Sequence, residues 1–271
     1  MLVIPFINPL KIGKIINYRF QYTASFFLFV CPVSMRVPGS GVLMVSNSCF
    51  SFHLLQSLPN LMKPYNYYSC IREDIIEIAS GTGSIDSVLD VGCGYGYTGL
   101  RLKEIGAQKV EGIELSANAY IKATDSLDKV YHGSCEDEGL LEKIGLYDCI
   151  LCADILEHLK DPWLTIRILK RHINKGGRLI GSIPNIRYYK VLSNLLFFGA
   201  WNYENSGILD RTHLRFFTRK SIISMFVQNG YKVKIQPQKI RPIFFVFNFL
   251  TFNILRDFFP MKYYFIAYPP K

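Results

Sequence analysis

The sequence predicts an α/β protein, a mostly parallel, doubly wound sheet wrapped by helices, and two observations carry that expectation. The first is a regular alternation, from about residue 65 onward, of short apolar runs with amphipathic stretches of helical spacing. The second is the segment Ser87-Val-Leu-Asp-Val-Gly-Cys-Gly-Tyr-Gly-Tyr-Thr-Gly99, which reads as an apolar strand, a glycine-rich turn and a helix start, with Glu114 ending the next strand. Glycines there let the backbone bend tightly and let a ligand lie against bare main chain. The amides of a helix start favour an electron-rich group. A carboxylate at the tip of the second strand is placed to accept hydrogen bonds from a ribose diol. The pattern predicts a pocket for a nucleoside cofactor.

The elements follow in order. Residues 70–79 form an amphipathic helix that runs into Gly81-Thr-Gly83. The first strand, 87–91, leads to a helix from Tyr97 that stops at Gly106. After a strand at 109–115, Ser116 caps a helix reaching about residue 127. A strand at 129–133, a helix at 136–144 and a strand at 147–153 come next. Asp161-Pro162 reads as an N-cap with proline in the first turn, opening a helix to about residue 173. A turn at 174–177 enters the strand 178–183, which Pro184 ends. The alternation then breaks: residues 185–217 are aromatic and without clean period, as expected of a lid or substrate wall. Thr218 caps a helix to Gly230, and 231–236 and 263–268 are the last strands.

Residues 1–61 differ, with no Asp or Glu, several prolines and a short apolar run. They read as a poorly patterned extension, disordered or arising from a misassigned start with Met62 as the natural beginning. A signal or anchor is the other reading, although the apolar run is too short to span a bilayer. The domain is then 62–271. The strongly apolar stretch 240–259 is suited to being covered by that extension or to touching a membrane that carries a lipid-linked acceptor.

With 49% hydrophobic residues the chain can bury a sizeable core, and its formal net charge is +10. Lys and Arg are scattered rather than striped, so no specific nucleic-acid partner is expected, only a mild preference for an anionic substrate or membrane surface. Seven irregularly spaced cysteines fit a reducing, cytoplasmic setting. Cys149 and Cys152, three apart on a strand, should point to opposite faces and stay unpaired.

Two cofactors compete for the glycine turn. Gly94-x-Gly96-x-x-Gly99 matches the dinucleotide fingerprint, which would make the chain a nicotinamide-dependent oxidoreductase or epimerase. Asp90 argues against it, because a carboxylate at the lip would repel a pyrophosphate. The ammonium and sulfonium of S-adenosylmethionine would be attracted instead. Asp90-Val-Gly92-Cys-Gly94-x-Gly96 resembles the first motif of class I S-adenosylmethionine-dependent methyltransferases. The run onward through Asp154-x-x-Glu157-His158 to His213-x-Arg215-Phe-Phe-Thr218 is similar to the subgroup of ubiquinone-pathway O-methyltransferases and bacterial cell-surface polysaccharide methyltransferases.

The resemblance implies a Rossmann-like, mostly parallel seven-stranded sheet with an antiparallel last strand, and cofactor contacts from Asp90, Gly92, Gly94, Gly96, Glu114, Leu115, Ser134 and Asp154. Many relatives carry an Asp near Ser134 to hold the adenine amino group; here the position is not acidic. The expected acceptor is a small molecule or a glycan, attacked through a hydroxyl oxygen. His158 is the first candidate base and His213 the second, facing one another across the acceptor pocket. If a helical turn begins at Asp154, then Asp154, Glu157 and His158 share one face. A weaker likeness to small-RNA ribose methyltransferases implies that Asp154, Glu157, His158 and His213 hold a divalent metal, Mg²⁺, Mn²⁺ or Zn²⁺. Asp154 is one methylene shorter than the Glu usual there. A cofactor-binding partner subunit without activity is the alternative outside catalysis.

Overall fold

The structure is a computed structural model that describes residues 68–240, 244 and 248–270. The expectations for residues 1–61 therefore lie outside the described residues.

The strands are β1 (Ser87–Val91), β2 (Lys109–Glu114), β3 (Lys129–His132), β4 (Tyr147–Ala153), β5 (Ile173–Pro184), β6 (Lys232–Pro237) and β7 (Lys262–Tyr268). They form one seven-stranded sheet in the order β3-β2-β1-β4-β5-β7-β6. All neighbouring pairs from β3 to β5 are parallel, while β7 runs antiparallel to both β5 and β6. The expected reversed last strand is thus β7, inserted between β5 and β6. Helices α1 (Glu73–Thr82), α2 (Tyr97–Glu104), α3 (Ala117–Ala123), α4 (Glu138–Leu141), α5 (Pro162–Leu169), α6 (Tyr189–Phe198) and α7 (Arg219–Gln228) connect or flank the strands.

Alternation along the central strands fills a core on each face. Leu89, Ile150, Cys152 and Leu179 belong to one buried cluster, and Val88, Cys149, Leu151 and Ile180 to the other. The two cysteines thus part to opposite faces, and burial pushes the thiol of Cys149 up to about 12, leaving it an inert apolar filler.

The caps hold where they were expected. Ser116 accepts from the amide of Ala119, Asp161 from that of Leu164, and Thr218 forms a capping box with Ser221. Two expectations change. The strand after α5 begins at Ile173, not near Arg178, and residues 185–217 contain the helix α6. That excursion closes at its base, where the amide of Ile186 donates to the carbonyl of Phe217 (2.9 Å).

Strand order reverses at β1, whose neighbours β2 and β4 continue in opposite directions. In such sheets the carboxyl ends flanking the reversal diverge and leave a crevice. Asp90 and the glycine turn stand at one lip, Asp154 at the other.

Candidate active site

A cavity of about 880 Å³ opens at that crevice. Its wall includes Asp90, Gly92, Gly94, Glu114, Leu115, Ser134, Asp154 and His158, all expected from the sequence. Gly96 is not in the wall. It is the left-handed N-cap of α2 and packs on α3 and Leu127, so its role is to turn the chain rather than to touch a ligand.

Gly92 and Gly94 sit at φ 75° and 57°, a region that favours glycine. A Cβ on Gly94 would also stand 2.7 Å from the carbonyl oxygen of Tyr68. The turn is pinned to β2 by the amide of Gly92 donating to the carbonyl of Ile113 (2.8 Å). One oxygen of Glu114 accepts from the amide of Gly94 and the other from that of Ser116, each at 2.8 Å. Burial raises the pKa of Glu114 while those amides oppose the rise. The carboxylate is fixed in place at the cavity wall, with lone pairs left for a diol.

Asp90 is the group least provided for. It is 5% exposed, and no described residue gives it a hydrogen bond. Burial, then the nearby Glu114, push its carboxyl up to about 7, and Arg72 only partly offsets them. A positive ligand group would restore the ionised form. Affinity for a cationic ligand should therefore weaken as pH falls below about 7, by up to roughly tenfold per unit, until the bound-state pKa is reached. Stability carries the opposite sign. The folded pKa lies above the unfolded one, so the contribution of Asp90 is full at low pH and is lost as pH rises through about 7. Asp90→Asn should raise the melting temperature at pH 8 yet weaken ligand binding. Calorimetry across pH checks both, and a pH-independent affinity in the wild type would refute the role of Asp90.

Arg72 and Lys262 were missed from the sequence and complete the wall. The guanidinium donates to Asp154 (2.9 Å), Asp74 (2.9 Å) and Ser182 (3.0 Å), and the Lys262 ammonium reaches the same Asp154 oxygen at 2.7 Å. Burial opposes the charge of Asp154, but Lys262 and Arg72 outweigh it and hold its carboxyl below the usual range. A signal existed: Arg72 precedes a helix whose positive pole repels it, a local conflict of the kind functional sites tolerate.

Asp154 also corrects the expectation of a shared helical face. Its φ is 55°, so the chain turns left-handed there, and the following turn (Leu156–His158) is 3₁₀. Its side chain goes to Arg72 and Lys262, and it does not join the group that could hold a metal. That group is Glu157, His158 and His213, whose ligand atoms all lie within 4.8 Å of one another. The two imidazoles are 4.7 Å apart between centroids, edge to face.

The histidines are oriented by the segment after α6. His158 Nδ1 lies 3.1 Å from both the carbonyl oxygen and the hydroxyl of Thr212. The carbonyl can only accept, and the hydroxyl already donates to Asp210 (2.7 Å), so Nδ1 carries the proton and Nε2 the lone pair. His213 Nδ1 likewise donates to the carbonyl of Ile208 (2.9 Å), and its Nε2 stands 3.9 Å from Glu157. The Glu157 carbonyl accepts from the amides of Leu214 (2.8 Å) and Arg215 (3.0 Å), which ties the two segments together. Neither carboxyl oxygen of Glu157 has a hydrogen-bond partner among the described residues, and burial, then Asp154, raise its pKa well above the usual range. His158 reaches the cavity; Glu157 and His213 stand behind it.

Comparison with known proteins gives this architecture a family. Residues 50–234 match the methyltransferase domain family, and the chain belongs to it. The ubiquinone biosynthesis O-methyltransferase of Sodalis glossinidius is 33% identical over 128 residues, 45% of this chain and 51% of that protein. That of Aromatoleum aromaticum is 30% identical over 139 residues, 49% of this chain and 58% of that protein. The chain thus spans about half the length of the curated relatives it matches. Among solved structures, a SAM-dependent methyltransferase from Archaeoglobus fulgidus superposes with a TM-score of 0.56 at 16% identity, covering 75% of this chain and 99% of that one. One from Clostridium acetobutylicum gives 0.51 at 14% identity, covering 82% and 98%. The fold is that of S-adenosylmethionine-dependent methyltransferases, and the oxidoreductase reading falls away.

Proposed function

We propose that the cavity binds S-adenosylmethionine and that the chain passes its methyl group to a hydroxyl oxygen of a small-molecule or sugar acceptor, in cell-surface glycan or quinone-type biosynthesis. The observation that carries the reading is Asp90, a buried carboxyl facing the cavity without a hydrogen-bond donor, with Arg72 nearby. An amino-acid zwitterion beside a sulfonium suits both signs at once, the cations facing Asp90 and the carboxylate facing Arg72 and Lys262. Glu114 takes the ribose diol, and Leu115 and Ser134 flank the base. In the transfer, the acceptor oxygen attacks the methyl carbon as the carbon–sulfur bond breaks and its electron pair returns to sulfur. The hydroxyl proton passes to His158 Nε2, and S-adenosylhomocysteine leaves. The sulfonium already activates the methyl, so the protein chiefly supplies alignment and the base.

Glu157, His158 and His213 also fit a divalent ion. Their donor set is chemically sensible, and the buried oxygens of Glu157 lack partners among the described residues. Bound there, an ion would lower the pKa of an acceptor hydroxyl. A chelator that abolishes turnover, with recovery on adding Mg²⁺, Mn²⁺ or Zn²⁺, supports the ion; indifference to chelator leaves His158 as base.

Glu114→Ala should weaken S-adenosylmethionine binding by about 1.5–3 kcal/mol, the loss of a charged acceptor. Unchanged affinity by calorimetric titration would sink the cofactor assignment. Turnover against a panel of catechol and sugar hydroxyls separates an active enzyme from an inactive binding subunit.

A further inference from the structure

We propose that the rim of the cavity mouth is a docking surface for an anionic lipid bilayer. Two segments spring from one point at the carboxyl edge of the sheet, where Pro184, the end of β5, pairs with Lys262, the start of β7. One is residues 185–198 with α6; the other is residues 248–261. The amide of Tyr189 donates to the carbonyl of Phe258 (2.8 Å), and the Asn185 side chain donates to the carbonyls of Asp257 (2.8 Å) and Pro260 (2.9 Å). Lys262 itself lines the cavity. Whatever covers these segments therefore lies beside the ligand entrance.

Both segments present large apolar side chains outward. No residue of α6 is buried, and Leu196, Phe197 and Phe198 are 74%, 77% and 78% exposed. Phe249, Phe252 and Ile254 are 80%, 90% and 73% exposed. Single exposed apolar residues need no explanation, but clustered aromatics of this size mark an interaction site. Charge selects the partner. Residues 185–203 contain Arg187 and Lys190 and no acid, and residues 238–261 contain Lys239, Arg241 and Arg256 against one acid, Asp257. Asp257 lies 3.7 Å from Arg187 and 3.9 Å from Arg256, so its charge is already met. Aromatic and leucine side chains that enter the acyl boundary beside unopposed Lys and Arg are the signature of peripheral binding to anionic lipid. Among the described residues no helix is long and apolar enough to cross the membrane. The surface lies on the bilayer, and the cavity then opens toward the headgroups, where an amphiphilic acceptor would be presented.

The test is flotation of the full-length protein with vesicles of phosphatidylcholine alone and of phosphatidylcholine mixed with phosphatidylglycerol. The expected result is capture by the mixed vesicles only, weakened by added salt. Phe197→Ser with Phe198→Ser, and Phe249→Ser with Phe252→Ser, should each lower the bound fraction at least about tenfold. Because these rings are exposed, melting temperature and S-adenosylmethionine affinity should stay as in the wild type. No capture by the mixed vesicles, or capture that both variants leave intact, overturns the proposal. So does a dimer in sedimentation that the variants dissolve in place of vesicle binding, since a second copy would then own the face. Flotation reads no turnover, so its outcome stands apart from that of the methyl-transfer reading.

Discussion

His158→Ala should retain near-normal S-adenosylmethionine affinity and lose on the order of a hundredfold or more in turnover. The expectation rests on the tautomer. Thr212 holds the Nδ1 proton with its carbonyl and hydroxyl, and the hydroxyl is itself oriented by Asp210. The ring is thereby fixed with the lone pair on Nε2, the only nitrogen left to take an acceptor's proton. A neutral base so held needs no conformational search at the moment of transfer. Thr212→Val removes the hydroxyl but keeps the carbonyl, so a smaller loss is expected, with a shifted acidic limb in the pH–rate profile. His213→Ala sits one layer behind, beside Glu157, and should also lower turnover while leaving cofactor binding alone. Measuring Kd by calorimetry and kcat by single-turnover assay separates these effects. Loss of affinity and rate together in His158→Ala would make the residue part of the cofactor site and not the base.

The parts of this site that the sequence discloses are those set by local chemistry. From Ser87 to Glu114 every signal is short-range: an apolar run, glycines, a helix start and a carboxylate at a strand tip. Those are the elements that the structure places as expected. Asp154 shows the limit. Its spacing from Glu157 and His158 fits a helical face, but a left-handed φ of 55° at Asp154 rotates it away, and its partners Arg72 and Lys262 stand 82 and 108 residues off in sequence. No window of local periodicity contains them. Helix α6 was hidden for another reason. It buries none of its residues, so no core-facing stripe imposes a 3.6-residue period on its composition. The same exposure that made it unreadable as a helix makes it readable as a surface for a partner.

Arg178→Met should cost at least about 3 kcal/mol of stability, because it strips donors from several buried carbonyls at once. Arg178 is 1% exposed, on β5 beneath the end of α1. Its guanidinium donates to the carbonyls of Ala79 (2.6 Å), Ser84 (2.7 Å) and Gly83 (3.1 Å) and to the hydroxyl of Thr82 (3.0 Å). The last carbonyls of a helix have no partner within the helix, and here one planar fork supplies them. A Cβ on Gly83 would stand 2.9 Å from that fork, so α1 and β5 are fitted closely at this point. Methionine fills much of the volume but donates nothing, and water must enter or the carbonyls stay unpaired. At about 2–4 °C per kcal/mol for a domain of this size, the melting temperature should fall by roughly 6–12 °C. Arg178→Lys keeps the charge without the fork and should recover only part of the loss. The damage should also reach function, since the other end of α1 positions Arg72 at the cavity. Weaker S-adenosylmethionine binding in Arg178→Met, measured well below its melting temperature, is therefore expected. A melting temperature within a degree of the wild type would show that α1 holds its end without this residue.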